Sequence, residues 1–326
     1  MTKLNKIIWI DDNPDREEGA KNLQHSISIP VTFCGVKGKD IDAELNNLFS
    51  ENEPDLIILD HNLEDAEKVI FKKGSTFAVA IRDHWPECPI ICVTGENIKQ
   101  INNLQKASYE QIFPYSSISD YYDSIFTLAE SFKHIRENRP KTTTDILKLL
   151  GAPTLEHEKL TAILPTQLKE GFDDVSLIVE LSKWVRGILL KRPGFLYDEL
   201  WTSTLLGVNE QGFKKNTKLF EQAKYNGVFA SSAFPRWWKS ELLDILYSIS
   251  NVEGLPWETG RGLPDLTDED YSKCYATDSP FPETVAFIDS TEDAKAVPIK
   301  VKNSDIHPDY ESLLYFEEIR LMSPAQ

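Results

Sequence analysis

The sequence predicts a doubly wound α/β domain built on a five-stranded parallel sheet, followed by a second, mainly helical α+β domain. Three observations predict it. Over residues 1–138 short apolar runs alternate with amphipathic stretches in the order βαβαβαβαβα. One of those runs, DLIILD at residues 55–60, is apolar without interruption, as a strand covered on both faces requires. A polar stretch with a proline, NRPKTTT at residues 138–144, then ends the alternation. The reading is therefore a first domain at 1–138, a linker at 139–144 and a second domain at 145–326.

Taken in order, KIIWI at residues 6–10 reads as a strand that runs into Asp11 and Asp12. Pro14 suits a helix start, and the helical pattern extends to about Gln24. Residues 29–36 (IPVTFCGV) read as the second strand, and Ile41, Leu45 and Leu48 recur at helical spacing after it. Residues 55–60 form the third strand. A helix over 75–84 is stopped by Trp85-Pro86, and PIICVT at 89–94 is the fourth strand. Residues 98–107 read as one helix and 111–113 as a short fifth strand. Tyr122, Ile125, Ala129, Phe132 and Ile135 mark the apolar stripe of a last helix. Beyond the linker, 145–150, 177–190, 196–206, 214–225 and 237–249 read as helical, with a break at Arg192-Pro193-Gly194. Strands at 284–288 and 297–301 suit a hairpin, and 310–322 a closing helix.

The net charge is −17, which favours solubility and opposes general affinity for nucleic acid or an anionic membrane. The charge is uneven. Residues 1–138 carry 14 basic and 23 acidic groups, residues 183–240 carry 10 and 4, and residues 251–326 carry 6 and 16. No apolar stretch reaches the length of a membrane span, and MTKLNKIIWIDD does not read as a signal peptide. Cys34, Cys88, Cys92 and Cys274 form no CxxC pair, so buried thiols in a reducing cytoplasm are expected.

In a parallel doubly wound sheet, ligands gather outside the carboxyl ends of the strands. Asp11 and Asp12 end the first strand, Asp60 the third and Thr94 the fourth. Three carboxylates meeting at one edge repel one another and call for a cation. Hard oxygen ligands of this kind suit Mg²⁺.

The segments IIWIDD, DLIILDHNL and ICVTG resemble the receiver domain of the response regulators of two-component signalling. The resemblance covers roughly residues 5–138 and implies the flavodoxin-like receiver fold. It implies Asp60 as phosphoacceptor, with Mg²⁺ held by Asp11, Asp12, Asp60 and the backbone carbonyl of Asn62. Thr94 would contact the phosphoryl group. It also implies a histidine kinase or phosphotransfer protein as partner, a phosphorelay role in the cytoplasm, and a homodimer, since receivers often pair.

Three departures stand out. Receivers carry a lysine before a proline at the end of the fifth strand, and here that position is Phe113 in QIFP. Tyr109 resembles the aromatic that such domains move on activation, but it falls one residue out of step. The stretch between Asp60 and Gly74 is longer than usual, and its Lys68, Lys72 and Lys73 are candidate substitute cations.

Residues 145–326 contain no GxxxxGK[ST], HExxH, GxSxG or GxGxxG. In 183–240, Lys214, Lys215, Arg236 and Lys239 are interleaved with Phe213, Phe220, Tyr225, Phe229, Trp237 and Trp238. That mixture suits anion or nucleic-acid binding; the competing reading makes the rings a helical core with wet cations around it. Three functions stay open: a phosphorylated response regulator, a pseudo-receiver acting through protein contacts alone, and a nucleic-acid-binding or effector regulator acting through 183–240.

Overall fold

Every residue of the first strand, β1 (Ile7–Asp11), is buried, and so is every residue of β3 (Leu56–Leu59) and β4 (Ile90–Thr94). Strands this apolar must be covered on both faces. In the computed structural model, which describes residues 3–64, 73–192, 194–231 and 234–272 and places strands at 285–288 and 295–298, they are. The first part of the chain runs β1, α1 (Arg16–Ile27), β2 (Val31–Gly35), α2 (Ile41–Phe49), β3, α3 (Gly74–His84), β4, α4 (Asn103–Lys106), β5 (Gln111–Pro114) and α5 (Tyr122–Glu137). The sheet order is β2-β1-β3-β4-β5 and every pairing is parallel.

Strand alternation divides the sheet's core in two. Ile8, Ile10, Ile57, Leu59, Ile90 and Cys92 pack with Leu45 and Leu48 of α2 and Phe77, Ala78 and Ile81 of α3. Trp9, Ile58, Ile91 and Val93 have the opposite parity and are equally buried. Helices α1 and α5 lie side by side, and a Cβ on Gly19 of α1 would sit 3.4 Å from the Trp9 ring. Cys34, Cys88 and Cys92 are free, buried thiols, each pushed above its ordinary pKa first by burial. Cys274 lies outside the described residues.

The helix expected over 98–107 is broken. A 3-10 turn covers Ile98–Gln100 and α4 is four residues long. Asn97 accepts a hydrogen bond from the Lys99 amide at 3.0 Å and Asn102 one from the Gln105 amide at 2.9 Å. Each asparagine restarts the chain as a cap, competing with a continuous helix.

After α5 come α6 (Thr143–Leu149), α7 (His157–Ile163), α8 (Thr166–Glu170) and α9 (Leu177–Trp184), the last running into a π-helical turn at Val185–Leu189. Then follow β6 (Leu196–Tyr197), α10 (Glu199–Leu205), α11 (Glu210–Asn216), β7 (Trp237–Trp238), α12 (Lys239–Ile249), α13 (Pro256–Thr259), β8 (Val285–Ile288) and β9 (Lys295–Pro298). The chain divides into two compact units, Met1–Thr143 with Pro165–Lys183, and Thr144–Leu164 with Trp184–Gln326. The segment Pro165–Lys183, read from sequence as part of the C-terminal region, thus clusters with the sheet.

The helices expected at 196–206 and 237–249 each start later than their apolar pattern suggests. Leu196–Tyr197 and Trp237–Trp238 pair as an antiparallel two-residue ladder instead. Asp198 then caps α10 through the Trp201 amide at 2.8 Å. The expected hairpin pairs antiparallel, Val285 opposite Pro298 and Ile288 opposite Lys295, so its second strand lies earlier than 297–301. The closing helix expected at 310–322 lies outside the described residues. Among the described residues no helix is long and apolar enough to cross a membrane.

Candidate functional site: an acidic cleft at the strand ends

Because β1 pairs with β2 on one side and β3 on the other, the chain reverses its direction of sheet-building between β1 and β3. Outside the carboxyl ends there, a crevice is left uncovered. Asp11 ends β1, Asp12 follows it, Asp60 follows β3, and Thr94 ends β4. They line one cleft of about 400 Å³ with Asn13, Arg16, Lys37, Asn62, Glu64, Gly95 and Glu96.

Ligand oxygens of Asp11, Asp12 and Asp60 all lie within 4.8 Å of one another. Asp11 is 1% exposed. Its Oδ1 accepts the Asn13 amide at 2.8 Å. Its Oδ2 is buried without a hydrogen-bond partner, and Arg16 Nε stands 4.0 Å away. Burial raises Asp11 to about 6, against the lowering pull of the Asn13 amide and the Arg16 charge. Burial also raises Asp60 to about 7, and the charge of Asp11 adds to it. The Asn62 amide donates to Asp60 Oδ2 at 3.1 Å. Three crowded, desolvated carboxylates, one with a buried oxygen that accepts no hydrogen bond, are a poor arrangement with a single guanidinium at 4.0 Å and favour a bound cation. The donor set is all oxygen and suits Mg²⁺, so the residues present fit that ion.

Thr94 is buried and its Oγ1 accepts the Glu96 amide at 3.1 Å, in a loop whose Gly95 and Glu96 line the cleft. Gly74 opens α3 directly behind Asp60, and a Cβ there would collide with the Asp60 carbonyl oxygen. His61 and Tyr109 are both buried and meet at 3.4 Å between His61 Nδ1 and the Tyr109 hydroxyl. Tyr109 precedes β5 and is packed inward.

The candidate cations fare differently. Phe113 is 2% exposed and packs on Tyr121 at 4.8 Å, so the fifth strand offers the cleft no charge at that position. Lys73 Nζ donates to Asn62 Oδ1 at 2.7 Å and lies 3.8 Å from Glu96. Lys68 and Lys72 lie outside the described residues. Arg16, unnoticed in the sequence, lines the cleft with its guanidinium 3.3 Å above the Tyr115 ring. Its signal was position alone: four residues after Asp12, in the first turn of α1.

In the second unit, Phe213, Phe220 and Trp237 belong to one core with Tyr197, Trp201 and Leu242. Tyr225, Phe229 and Trp238 are buried too. None of these rings is offered for stacking on a base. Lys214 pairs with Glu199 at 2.9 Å and Lys215 with Asp270 at 2.6 Å. Arg236 donates to the Leu190 and Pro235 carbonyls, and Lys239 sits 5.5 Å over the Tyr197 ring. The rings of the basic stretch thus lie in the core of their own unit, and these four cations have neighbours within it.

No family model matches the chain, and no curated protein matches it. Solved structures do resemble its N-terminal part. One is the N-terminal domain of a response regulator/sensory box/GGDEF three-domain protein from Carboxydothermus hydrogenoformans, 18% identical over 41% of this chain and 97% of that one, TM-score 0.32. A response regulator receiver domain protein from Clostridium thermocellum is 18% identical over 41% of this chain and 99% of that one, TM-score 0.32. The response regulator TrrA from Thermotoga maritima, solved in complex with Mg²⁺-BeF, is 20% identical over 37% of this chain and 99% of that one, TM-score 0.30. With a parallel sheet ordered β2-β1-β3-β4-β5 and helices on both faces, the N-terminal part of the chain has the flavodoxin-like fold.

Proposed function

We propose that the N-terminal unit accepts a phosphoryl group on Asp60 and, as a response regulator in a two-component phosphorelay, controls the region C-terminal to it. The observation that carries this reading is the gathering of Asp11, Asp12 and Asp60 within 4.8 Å, one oxygen of Asp11 buried without a hydrogen bond. The proposed donor is a phosphohistidine on a histidine kinase or phosphotransfer protein of the cytoplasm. A carboxylate oxygen of Asp60 attacks phosphorus, the new P–O bond forms as the donor's P–N bond breaks, and the imidazole nitrogen keeps the electron pair. Asp11, Asp12, Asp60 and the Asn62 carbonyl are the proposed holders of Mg²⁺, which supplies charge neutralisation at the transferring oxygens when bound. Thr94 Oγ1 already accepts the Glu96 amide, so its own hydrogen can be donated to a phosphoryl oxygen.

Phe113 favours a second reading, a pseudo-receiver that acts through protein contacts without phosphorylation. One experiment separates the two. The wild-type chain is incubated with acetyl phosphate and Mg²⁺, and intact mass is measured. The expected result is one phosphoryl group, lost in Asp60→Ala. Phe113→Lys should strengthen the conformational response, read by amide exchange over residues 94–122, without being needed for acceptance. Uptake by Phe113→Lys but not by wild type favours the pseudo-receiver, and uptake unchanged in Asp60→Ala removes Asp60 as acceptor.

A further inference from the structure

The fifth strand carries buried Phe113 where the resemblance expects a lysine, yet the cleft holds a well-seated cation. Arg16 is anchored on three sides. Its Nε lies 4.0 Å from Asp11 Oδ2, with the side chain 19% exposed. Its guanidinium carbon lies 3.3 Å over the ring of Tyr115, the residue that follows Pro114 at the end of β5. Its Nη2 lies 3.0 Å from where a Cβ on Gly95 would stand, so the glycine after Thr94 leaves the space that the guanidinium needs. Arg16 is thus tied to the end of the strand that lacks the lysine and to the loop that follows Thr94.

We infer that Arg16 is the residue that grips the phosphoryl group on Asp60, replacing the lysine missing from β5; this rests on the acceptor reading above. A guanidinium presents a planar fork that matches phosphoryl oxygens two at a time, and it stacks on aromatic faces, as it does here on Tyr115. Other cations near the cleft are less suited. Lys37 is exposed. Lys73 is 38% exposed and already holds Asn62 at 2.7 Å. In the resting state Arg16 offsets charge on Asp11, and a phosphoryl group on Asp60 gives the fork a more strongly charged partner. The pull is felt at Tyr115, whose ring stands edge-on to Trp9 at 6.4 Å.

The test uses the full chain with beryllofluoride as the phosphoryl stand-in. Titration in the presence of Mg²⁺ is followed by the Trp9 indole N–H resonance, assigned with Trp9→Phe. Arg16→Gln should weaken beryllofluoride binding roughly tenfold or more, the scale of a lost charge-assisted hydrogen bond in a shielded site. The same variant should bind Mg²⁺ alone as well as wild type or better, because a positive neighbour of Asp11 is gone; a collapsed cleft would lose both. Arg16→Lys should lie between the two, and Lys21→Gln, on the outer face of α1, should match wild type. Unchanged beryllofluoride affinity in Arg16→Gln, or the same loss in Lys73→Gln, overturns the role of Arg16. If wild type binds no beryllofluoride at all, the acceptor reading fails and the inference falls with it.

Discussion

Burial lifts the Asp60 carboxyl from 3.8 to about 7, and the sign of that shift has a consequence for stability. A raised pKa means that the folded chain binds a proton that the unfolded chain releases between about pH 4 and pH 7. Stability from this group is therefore full below about pH 4 and is lost as pH rises towards 7. Asp60→Asn cannot lose it. In urea unfolding with chelator present, the variant's advantage over wild type should grow through that window and level off above it, at up to about 4 kcal/mol at pH 8. Added Mg²⁺ should narrow the gap by stabilising the ionised wild type. Asp11, Asp12, Asp60 and Thr94 were legible in the sequence because each follows an apolar run whose end can be counted. Arg16, Gly74 and Tyr115 were not. Their importance lies in what comes close in space, a guanidinium over a ring and a backbone carbonyl behind a missing methyl group.

At the level of elements, Asp55 ties three of them together at the opposite end of the sheet. It is 4% exposed. Lys133 of α5 reaches its Oδ1 at 3.1 Å and Arg136 reaches it at 3.3 Å. The amides of Asn5 and Lys6, leading into β1, donate to its Oδ2. Removing the anion leaves two partly buried cations and two amides without it. Asp55→Ala should cost about 3–5 kcal/mol in urea unfolding, whereas Lys21→Ala, breaking an exposed pair with Glu17, should cost less than about 1 kcal/mol. The five strands were legible because each is an apolar run of the right length between breakers. The broken helix at 98–107 was not, since Asn97 and Asn102 read as ordinary polar residues until their side chains are seen to cap. Nor was the β6–β7 ladder, because two residues carry no period and only partners far along the chain reveal them.

Over the whole molecule, the sequence placed the break after residue 138, while compactness returns Pro165–Lys183 to the sheet-bearing unit. No pattern within 165–183 announces that return; α8 and α9 look like any amphipathic helices. A fragment of residues 1–138 is still expected to melt in one cooperative step by circular dichroism, because β1–β5 and α1–α5 close both faces of the sheet. A molten or aggregated fragment would mean that residues 165–183 complete its core. The three described thiols bear on the same unit in another way. Cys34, Cys88 and Cys92 are shut inside it and disfavour the thiolate, the form that peroxides and disulfides attack. Cys92 sits on β4, two residues from Thr94, yet it offers oxidants no entry to the neighbourhood of Asp60. Oxidation at these three positions is therefore disfavoured while the unit stays folded.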